Sequence, residues 1–228
     1  MNDEVILKII DALEAAYPDS DCTLDFSEPW QLLFSARLAA QCTDKRVNIV
    51  AKELYGRFPT LKDIAACDIE ELEAIVRPTG LYRVKARDIK SCAGILIDKF
   101  GGEVPQTMDE LLSLPGIGRK IANLILGDVF NKPGIVTDTH CIRLANRLGL
   151  CATKDPYKVE LALSDIVPPA KQSSFCHRLV DHGRAVCSAR SPRCGECTLY
   201  PLCRRVGTED QLTSTQAKTP SAQPKSQN

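Results

Sequence analysis

Apolar residues recur every three or four positions along most of the chain, which is the spacing of one face of an α-helix. Clear examples are residues 5–13, 47–54 and 121–129. No segment alternates apolar and polar residues for long enough to indicate a β-strand. The pattern therefore predicts an all-α protein with about ten short helices.

Short signals mark where these helices begin and where the chain turns. Thr60, Asp68 and Thr107 are each followed three positions later by Asp or Glu, the spacing of an N-terminal capping box. A turn signal at residues 131–134 divides the chain into two helical blocks. A further helix is predicted at residues 3–16, and its periodicity does not indicate which block it joins.

Residues 207–228 are rich in Thr, Ser, Gln, Lys and Pro and contain one large aliphatic residue, Leu212. Such a segment cannot bury enough apolar surface to offset the entropy that is lost on ordering. A disordered tail is therefore predicted for residues 207–228.

The composition is that of a folded protein without a membrane span. Of 228 residues, 44% are hydrophobic and 25% are charged, close to the average for soluble globular proteins. No run reaches the roughly 18 uncharged apolar residues that a membrane helix needs. The first residues also lack the pattern of a secretion signal. We therefore expect a cytoplasmic protein with no targeting segment and no membrane partner.

Equal numbers of basic and acidic residues, 29 of each, conceal an uneven distribution. Residues 1–28 carry eight acids and one base, whereas residues 77–90 carry five bases and one acid. Residues 119–154 carry six bases and two acids. A chain that is neutral overall can thus present a basic face to nucleic-acid phosphates. Ordinary solvated helix faces are the alternative explanation.

Four of the eleven cysteines lie within 17 residues, and they are Cys187, Cys194, Cys197 and Cys203. Thiolates this close together repel one another unless a cation neutralises them, so a metal centre is predicted. One close pair flanked by two longer loops favours an iron–sulfur cluster over zinc, but the spacing leaves both open. The other seven cysteines are expected to be small buried apolar residues.

The sequence LPGIGRK at residues 114–120 joins two helical segments. Its two glycines, Gly116 and Gly118, permit a tight turn and leave backbone amides uncovered at the start of the following helix. The helix dipole favours an anion there, and a DNA phosphate would fit. A plain turn between helices, without a ligand, is the alternative.

Lys120 lies in the first turn of that following helix. The helix dipole opposes a cation at this position and Arg119 beside it adds repulsion, so both effects favour the uncharged amine. An uncharged lysine attacks carbonyl-like carbons to form a Schiff base, and an abasic or glycosidic sugar carbon on DNA is such a target. A solvated surface lysine is the alternative.

Asp138 precedes a helical run at residues 141–150 and has the position of an N-cap. Near a nucleophilic lysine, the same carboxylate could also accept a proton or stabilise positive charge on a sugar. His140, two residues further on, is expected mainly to pack or to form hydrogen bonds.

These motifs occur in the order and separation of a known family. The chain resembles endonuclease III, a family of DNA glycosylases with AP lyase activity in the helix-hairpin-helix superfamily. The resemblance covers about residues 3–205. It rests on the four-cysteine spacing and on residues 39–48, 79–89, 114–123 and 137–140.

The resemblance implies two helical domains with double-stranded DNA bound across the cleft between them. A six-helix domain with the hairpin would span residues 22–132. The other domain would combine residues 1–21 with residues 133–206 and hold a [4Fe-4S] cluster on the four cysteines. The family also implies a monomeric, prokaryotic-type protein that is associated with the nucleoid.

By the same resemblance, Lys120 attacks the C1′ carbon of an oxidised pyrimidine nucleotide or abasic site, displaces the base and cleaves the strand by β-elimination. Asp138 would assist deprotonation of the lysine and stabilise the sugar cation. The target nucleotide is flipped out of the duplex in this family, at a cost of a few kcal/mol. Gln41 and Leu81 occupy the positions of the residues that fill the gap, and Tyr82 is adjacent.

Further DNA contacts are expected to be largely independent of sequence and sensitive to salt. Arg190 and Arg193, between the first two cluster cysteines, resemble a basic loop of the family that contacts phosphates. The other candidates for DNA contact are Leu114, Gly116, Gly118, Arg119, His140, Arg143, Arg147 and Arg184.

Three residues depart from the family pattern, namely Ile121, Thr137 and Cys141. We expect them to border the lesion pocket and to affect the preferred base more than the chemistry. Two other functions fit part of the pattern. A monofunctional mismatch glycosylase of the same superfamily typically lacks a lysine at the position of Lys120. A non-catalytic helix-hairpin-helix module would leave Lys120 and Asp138 unexplained beyond capping.

Overall fold

The computed structural model describes residues 3–208, which form α-helices joined by short turns. Within this range there are eleven α-helices, three 3-10 helices and no β-strand. The prediction of an all-α protein is therefore confirmed.

None of the helices described within residues 3–208 is long and apolar enough to cross a membrane.

Local capping fixes many of the helix starts. Thr60 and Asp63 form the predicted capping box, in which the Thr60 N–H donates to Asp63 Oδ2 at 2.9 Å and the Asp63 N–H donates to Thr60 Oγ1 at 3.2 Å. Asp68 and Thr107 also cap their helices, since each side chain accepts a hydrogen bond from a backbone amide of the first turn. The start signals in the sequence were thus correct.

The first group of helices packs around a hydrophobic cluster built from residues 24–126. A 3-10 helix, Arg77–Thr79, also belongs to this group. The group contains seven α-helices where six were predicted, because Met108–Leu112 forms a separate short helix. Its α-helices are α2 (Pro29–Leu38), α3 (Asp44–Arg57), α4 (Leu61–Ala66), α5 (Ile69–Val76), α6 (Tyr82–Phe100), α7 (Met108–Leu112) and α8 (Arg119–Asp128).

The second group packs around a separate cluster built from residues 6–13 and 135–199. The N-terminal helix belongs to this group and contacts its last long helix. The α-helices of the group are α1 (Asp3–Ala16), α9 (Thr139–Leu148), α10 (Pro156–Ile166) and α11 (Gln172–Ala185). Domain limits at residues 22, 132 and 206 stay a prediction.

The start of the predicted tail is ordered. Gly207 and Thr208 lie in a turn, in which Thr208 is buried and its hydroxyl donates to the Arg205 carbonyl at 2.9 Å. Thr208 also lines a cavity that the cluster cysteines line. The disordered tail stays a prediction. The rest of the predicted tail, residues 209–228, lies outside the described residues.

The two groups meet where α8 crosses α11. Gly127 on α8 lies so close to α11 that a Cβ atom there would collide with Ser173. The next residue, Asp128, accepts hydrogen bonds from Ser173 Oγ and from His177 Nε2, the latter at 2.9 Å. The Asp128 side chain is only 5% exposed. A small residue and a buried polar cluster thus fix how the two groups are joined.

The pKa of His177 is raised by this arrangement. Burial opposes the charged imidazolium, but the hydrogen bond and negative charge of Asp128 outweigh it, and Asp21 and Asp181 act in the same direction. The protonated form of His177 therefore stabilises the contact between α8 and α11.

Raising the pH from about 6 to about 9 should weaken that contact. Because the pKa of His177 is raised in the folded protein, its contribution is fully present below the unfolded pKa of about 6.5 and is lost as the pH rises through the folded pKa. We expect the contribution of this residue to the free energy of unfolding, measured by urea denaturation, to fall over this pH range. His177→Gln should remove that part of the pH dependence. An identical pH profile in the variant would contradict the assignment.

Candidate active site

A cavity of about 470 Å³ lies between the two groups of helices. Its walls come from the loop before α2, the connection between α2 and α3, the start of α8, and parts of α9 and α11. Lys120 and Asp138 both line the cavity, together with Gln41, His140 and Arg184. The fold thus brings the predicted lysine, the predicted carboxylate and one predicted wedge residue to one place.

The hairpin before Lys120 is anchored by two buried side chains, Leu114 and Ile117. Gly116 adopts a φ of +73°, and a Cβ atom there would collide with the ion pair between Arg37 and Asp88, whose N and O atoms are 2.7 Å apart. The predicted requirement for glycine in the hairpin is confirmed at this position. Leu114, a predicted DNA contact, has only its backbone available because its side chain is in the core.

The start of α8 carries the uncovered amides that the sequence predicted. Gly118 is its N-cap, and no side chain caps the helix. Lys120 is exposed and lies in the first turn. The first-turn N–H groups and the helix dipole therefore favour an anion beside the lysine.

Arg119 does not act as the sequence suggested. Its guanidinium donates two hydrogen bonds to the Glu160 carboxylate, at 3.0 and 2.5 Å, and lies 4.7 Å from the ring centroid of Tyr157. Glu160 is on α10 and is 6% exposed. The negative charge of Glu160 offsets the positive charge of Arg119, so the predicted repulsion between Arg119 and Lys120 is weakened. The ion pair holds α8 against α10 instead.

Asp138 caps α9, as predicted. Its Oδ1 atom accepts a hydrogen bond from the Cys141 N–H at 2.7 Å. The connector before it runs along α8, where the Asn123 side chain donates to the Ile135 carbonyl at 3.0 Å. Gly134 lies so close to the backbone of Asn123 that a Cβ atom would not fit. These contacts deliver the half-buried Asp138 carboxylate to the cavity that Lys120 lines.

His140 is held in its neutral form. Its Nδ1 atom lies 3.2 Å from an amino group of Arg143, which can only donate, so Nδ1 accepts and Nε2 carries the proton. Burial lowers the pKa of His140, Asp138 opposes this, and Arg143, Arg184 and Lys120 lower it further. The expected hydrogen-bonding role of His140 is confirmed, and the groups around it are mainly cationic.

The two predicted wedge residues share an unusual backbone conformation. Gln41 has a φ of +57° and Leu81 has a φ of +50°. Residues other than glycine rarely adopt this left-handed backbone conformation. Gln41 is exposed, and Leu81 is 55% exposed, so Leu81 is not a core residue. Strain of this kind is typical of functional positions. Tyr82, beside Leu81, is half-buried against two arginine guanidinium groups.

Two of the predicted phosphate contacts are occupied within the protein. Arg143 donates to the carbonyls of Gly183 and Cys187, at 3.2 and 3.0 Å. Arg147 donates to the carbonyls of Ser188 and Ala189, at 2.7 and 2.8 Å. Both arginines hold the chain that leaves α11, so their donors are largely unavailable to phosphate.

The other predicted basic contacts lie at the surface. Arg184 forms an ion pair with Asp44 at 2.9 Å, across the cavity wall. Arg193 donates to the Ala185 carbonyl and forms an ion pair with Glu196 at 3.1 Å. Arg190 is exposed on the loop between the first two cluster cysteines.

Only one of the three departures from the family pattern lines the cavity, and it is Ile121. Thr137 and Cys141 are buried behind the wall, so the prediction that they border it directly is wrong. The buried face of α9 begins at Cys141, which turns this side chain into the second cluster. The thiols that do line the cavity are those of Cys22, Cys42 and Cys176.

The four clustered cysteines line a separate, small cavity near the end of the described chain. Three of the sulfur atoms have nitrogen partners. Arg147 Nη1 donates to Cys187 Sγ and the Arg205 backbone N–H donates to Cys203 Sγ, both at 3.3 Å. His182 Nε2 lies 3.3 Å from Cys197 Sγ. Burial raises the pKa of Cys197 and of Cys203, and the neighbouring thiols raise it further. These thiols therefore need a cationic centre to ionise together.

The four thiols are grouped around one small cavity, and their chemistry suits a metal centre. Among residues 3–208, no three Cys, His, Asp or Glu side chains lie close enough together to hold one metal ion. All four thiols nevertheless face one cavity, as a larger centre requires. Sulfur atoms that accept hydrogen bonds from N–H groups, as those of Cys187 and Cys203 do, are typical of iron–sulfur sites.

Lys85 is fully buried on α6 and was not among the residues predicted from the sequence. Its ammonium group donates to the carbonyls of Leu38 and Thr79, at 2.8 and 2.7 Å. A signal was present, because Lys85 lies four residues before Ile89 on the apolar face of α6. A lysine on a buried helical face needs a structural or chemical role.

Comparisons with known proteins agree with this geometry. Residues 34–169 match the model of the HhH-GPD superfamily base excision DNA repair proteins. The chain is 43% identical to endonuclease III of Synechocystis sp. over 86% of this chain and 90% of that protein. It is 42% identical to endonuclease III of Bacillus subtilis over 88% of this chain and 92% of that protein.

A solved structure of a trapped covalent intermediate between endonuclease III and DNA, an estranged-adenine complex, has a similar fold. The TM-score is 0.86 at 41% sequence identity, and the match covers 93% of this chain and 99% of that one.

Gly116→Ala should destabilise the hairpin more than Gly118→Ala does. A side chain at residue 116 would have to adopt a positive φ and would displace the ion pair between Arg37 and Asp88, so we expect a loss of about 2 kcal/mol or more. Nothing lies within 4 Å of a Cβ atom at Gly118, and its φ is −103°. There we expect a loss of about 1 kcal/mol or less. Urea denaturation of both variants tests this, and equal losses would contradict it.

Proposed function

The chain belongs to the HhH-GPD superfamily of base excision DNA repair proteins, and on that premise we propose that it is a DNA glycosylase and AP lyase whose nucleophile is Lys120. One observation carries the proposal: Lys120 and Asp138, from different groups of helices, line the same cavity. The damaged nucleotide would enter this cavity from duplex DNA. Its volume of about 470 Å³ is within the range of small-molecule sites.

The chemistry begins with the uncharged amine of Lys120. Its nitrogen attacks C1′ of the deoxyribose, the glycosidic bond breaks, and the base leaves with the bonding electrons and takes up a proton. The C1′–nitrogen adduct becomes a Schiff base when the sugar ring opens. Loss of a C2′ proton then breaks the C3′–O bond, and the 3′ phosphate departs. This last step is a β-elimination from the covalent Schiff-base intermediate.

Asp138 supplies a carboxylate beside the reacting sugar. It accepts a proton from Lys120 or stabilises positive charge that develops on the sugar. Its hydrogen bond to the Cys141 N–H fixes one carboxylate oxygen, which makes the position of the group reproducible. The basic surroundings of His140, together with the uncapped start of α8, favour a phosphate next to the reacting nucleotide.

Gln41 and Leu81 would fill the gap that the flipped nucleotide leaves. Both are exposed, and both are held in a left-handed backbone conformation. Arg184, Arg190 and Arg193 would contact phosphates, and binding should therefore weaken with salt. The preferred substrate would be an oxidised pyrimidine or an abasic site, and the enzyme would act as a monomer near chromosomal DNA.

Cys187, Cys194, Cys197 and Cys203 would hold a [4Fe-4S] cluster. When bound, the cluster would supply a structural link that fixes the loop on which Arg190 and Arg193 lie. Arg147 would support the same loop through its hydrogen bonds to the carbonyls of Ser188 and Ala189.

Borohydride trapping separates the candidate functions. With a duplex that contains an oxidised pyrimidine, sodium borohydride should give a covalent protein–DNA adduct, and Lys120→Ala should abolish it. Lys132→Ala is the matched control, because Lys132 is an exposed lysine that does not line the cavity. Base release without trapping would favour a monofunctional glycosylase, and binding without either would favour a non-catalytic module.

Asp138→Asn separates capping from catalysis. Asparagine caps helices about as well as aspartate, so stability should change by about 1 kcal/mol or less. The single-turnover rate of base release should nevertheless fall roughly a hundredfold, because the amide cannot accept a proton. A rate close to that of the wild type would show that Asp138 is only a helix cap.

The cluster assignment predicts a coloured protein with about four iron atoms per chain. Cys197→Ser should lower the iron content and the visible absorption, whereas Cys151→Ser should leave both unchanged, since Cys151 is outside the small cavity. A colourless, fully active wild-type protein that contains zinc would contradict the assignment.

A further inference from the structure

A buried cation lies between the two segments that carry Gln41 and Leu81. Lys85 on α6 is completely buried, and its ammonium group donates to the Leu38 carbonyl at the end of α2 and to the Thr79 carbonyl. Burying a charged ammonium group is costly unless strong hydrogen bonds compensate it. Lys85 therefore places a cation at a position on the buried face of α6 where an apolar side chain would otherwise be expected.

Both carbonyl acceptors lie shortly before the residues with a positive φ. Leu38 is three residues before Gln41, and Thr79 is two residues before Leu81. Each segment then enters the left-handed region of backbone space at an exposed side chain. A single ammonium group therefore holds the starts of both segments next to each other.

We infer that Lys85 is a positioning residue that holds Gln41 and Leu81 at a fixed separation, so that they can fill the gap in the DNA together. This inference rests on the proposed function of the two residues. It also explains why neither segment needs glycine at the strained position. The surrounding structure holds the unfavourable φ angle in place, and Lys85 is the group that joins the two segments.

Two hydrogen bonds to backbone carbonyls offset the cost of burying the ammonium group of Lys85. Burial lowers the pKa of its ammonium group, the nearby Cys42 opposes this, and Arg37 lowers it further. The group makes two charge-assisted hydrogen bonds to backbone carbonyls, which have no net charge. The ammonium group therefore acts through the geometry of two loops and not through a buried ion pair.

Lys90 provides a matched control on the same helix. Its ammonium group also donates to a backbone carbonyl, that of Cys67, but Cys67 follows α4 and is not next to either wedge segment. Lys85→Met and Lys90→Met each remove one ammonium group and keep an unbranched side chain of similar length. Only the first change releases the segments before Gln41 and Leu81.

The test is a DNA-distortion measurement that does not depend on chemistry. Each variant is added to a duplex with a tetrahydrofuran abasic analogue and with 2-aminopurine beside it, and the fluorescence rise on insertion of the wedge is recorded at saturation. Wild type and Lys90→Met should give the full rise, whereas Lys85→Met should lose most of it. Affinity for undamaged duplex should be equal in all three, and circular dichroism checks folding.

A second measurement excludes a general loss of structure. In the Leu81→Ala background, Lys85→Met should cause little further loss of the fluorescence rise, because the wedge is already missing. If Lys85→Met does not fold, Lys85→Gln carries the same prediction, since it is neutral and its shorter side chain cannot reach both carbonyls. A full fluorescence rise in the folded Lys85 variant, or an equal loss in Lys90→Met, would overturn the inference. Failure of the wild type to be trapped by borohydride would instead contradict the proposed function.

Discussion

The contacts of α8 are the constraint on which the rest of the site depends. Lys120 lies in the first turn of this helix, Asn123 in its middle holds the connector that leads to Asp138, and Asp128 at its end binds α11. Gly127 allows α8 to lie close to α11, and Gly134 allows the connector to lie close to α8. One helix therefore places the proposed nucleophile and also sets the position of Asp138, which lies at the start of α9 in the second group of helices.

Local signals in the sequence were sufficient to predict the helices and the local backbone structure around Lys120 and Asp138. The capping box of Thr60, the N-cap role of Asp138 and the positive φ of Gly116 all follow from chemistry within a few residues. Long-range pairs could not be predicted in this way. Arg119 and Glu160 are 41 residues apart, and periodicity carries no information about such a contact. The predicted repulsion of Lys120 by Arg119 was overstated for this reason.

The arginines illustrate the same limit. Composition predicted a basic face, but it could not separate arginines that hold carbonyls from arginines that remain at the surface. Arg143 and Arg147 support the chain that leaves α11, whereas Arg184 and Arg190 are exposed. The sequence also did not predict backbone strain or a buried charge. The left-handed conformations of Gln41 and Leu81 and the full burial of Lys85 depend on contacts between segments that are distant along the chain.

The central claim is that Lys120, placed by α8 beside Asp138, forms the covalent bond to the deoxyribose. The most direct measurement is mass spectrometry of the peptides from the wild-type protein after borohydride reduction of its complex with damaged DNA. The account predicts that the reduced sugar fragment is attached to the side-chain nitrogen of Lys120 and to no other residue. Attachment to another lysine or to the N-terminal amine would contradict the account.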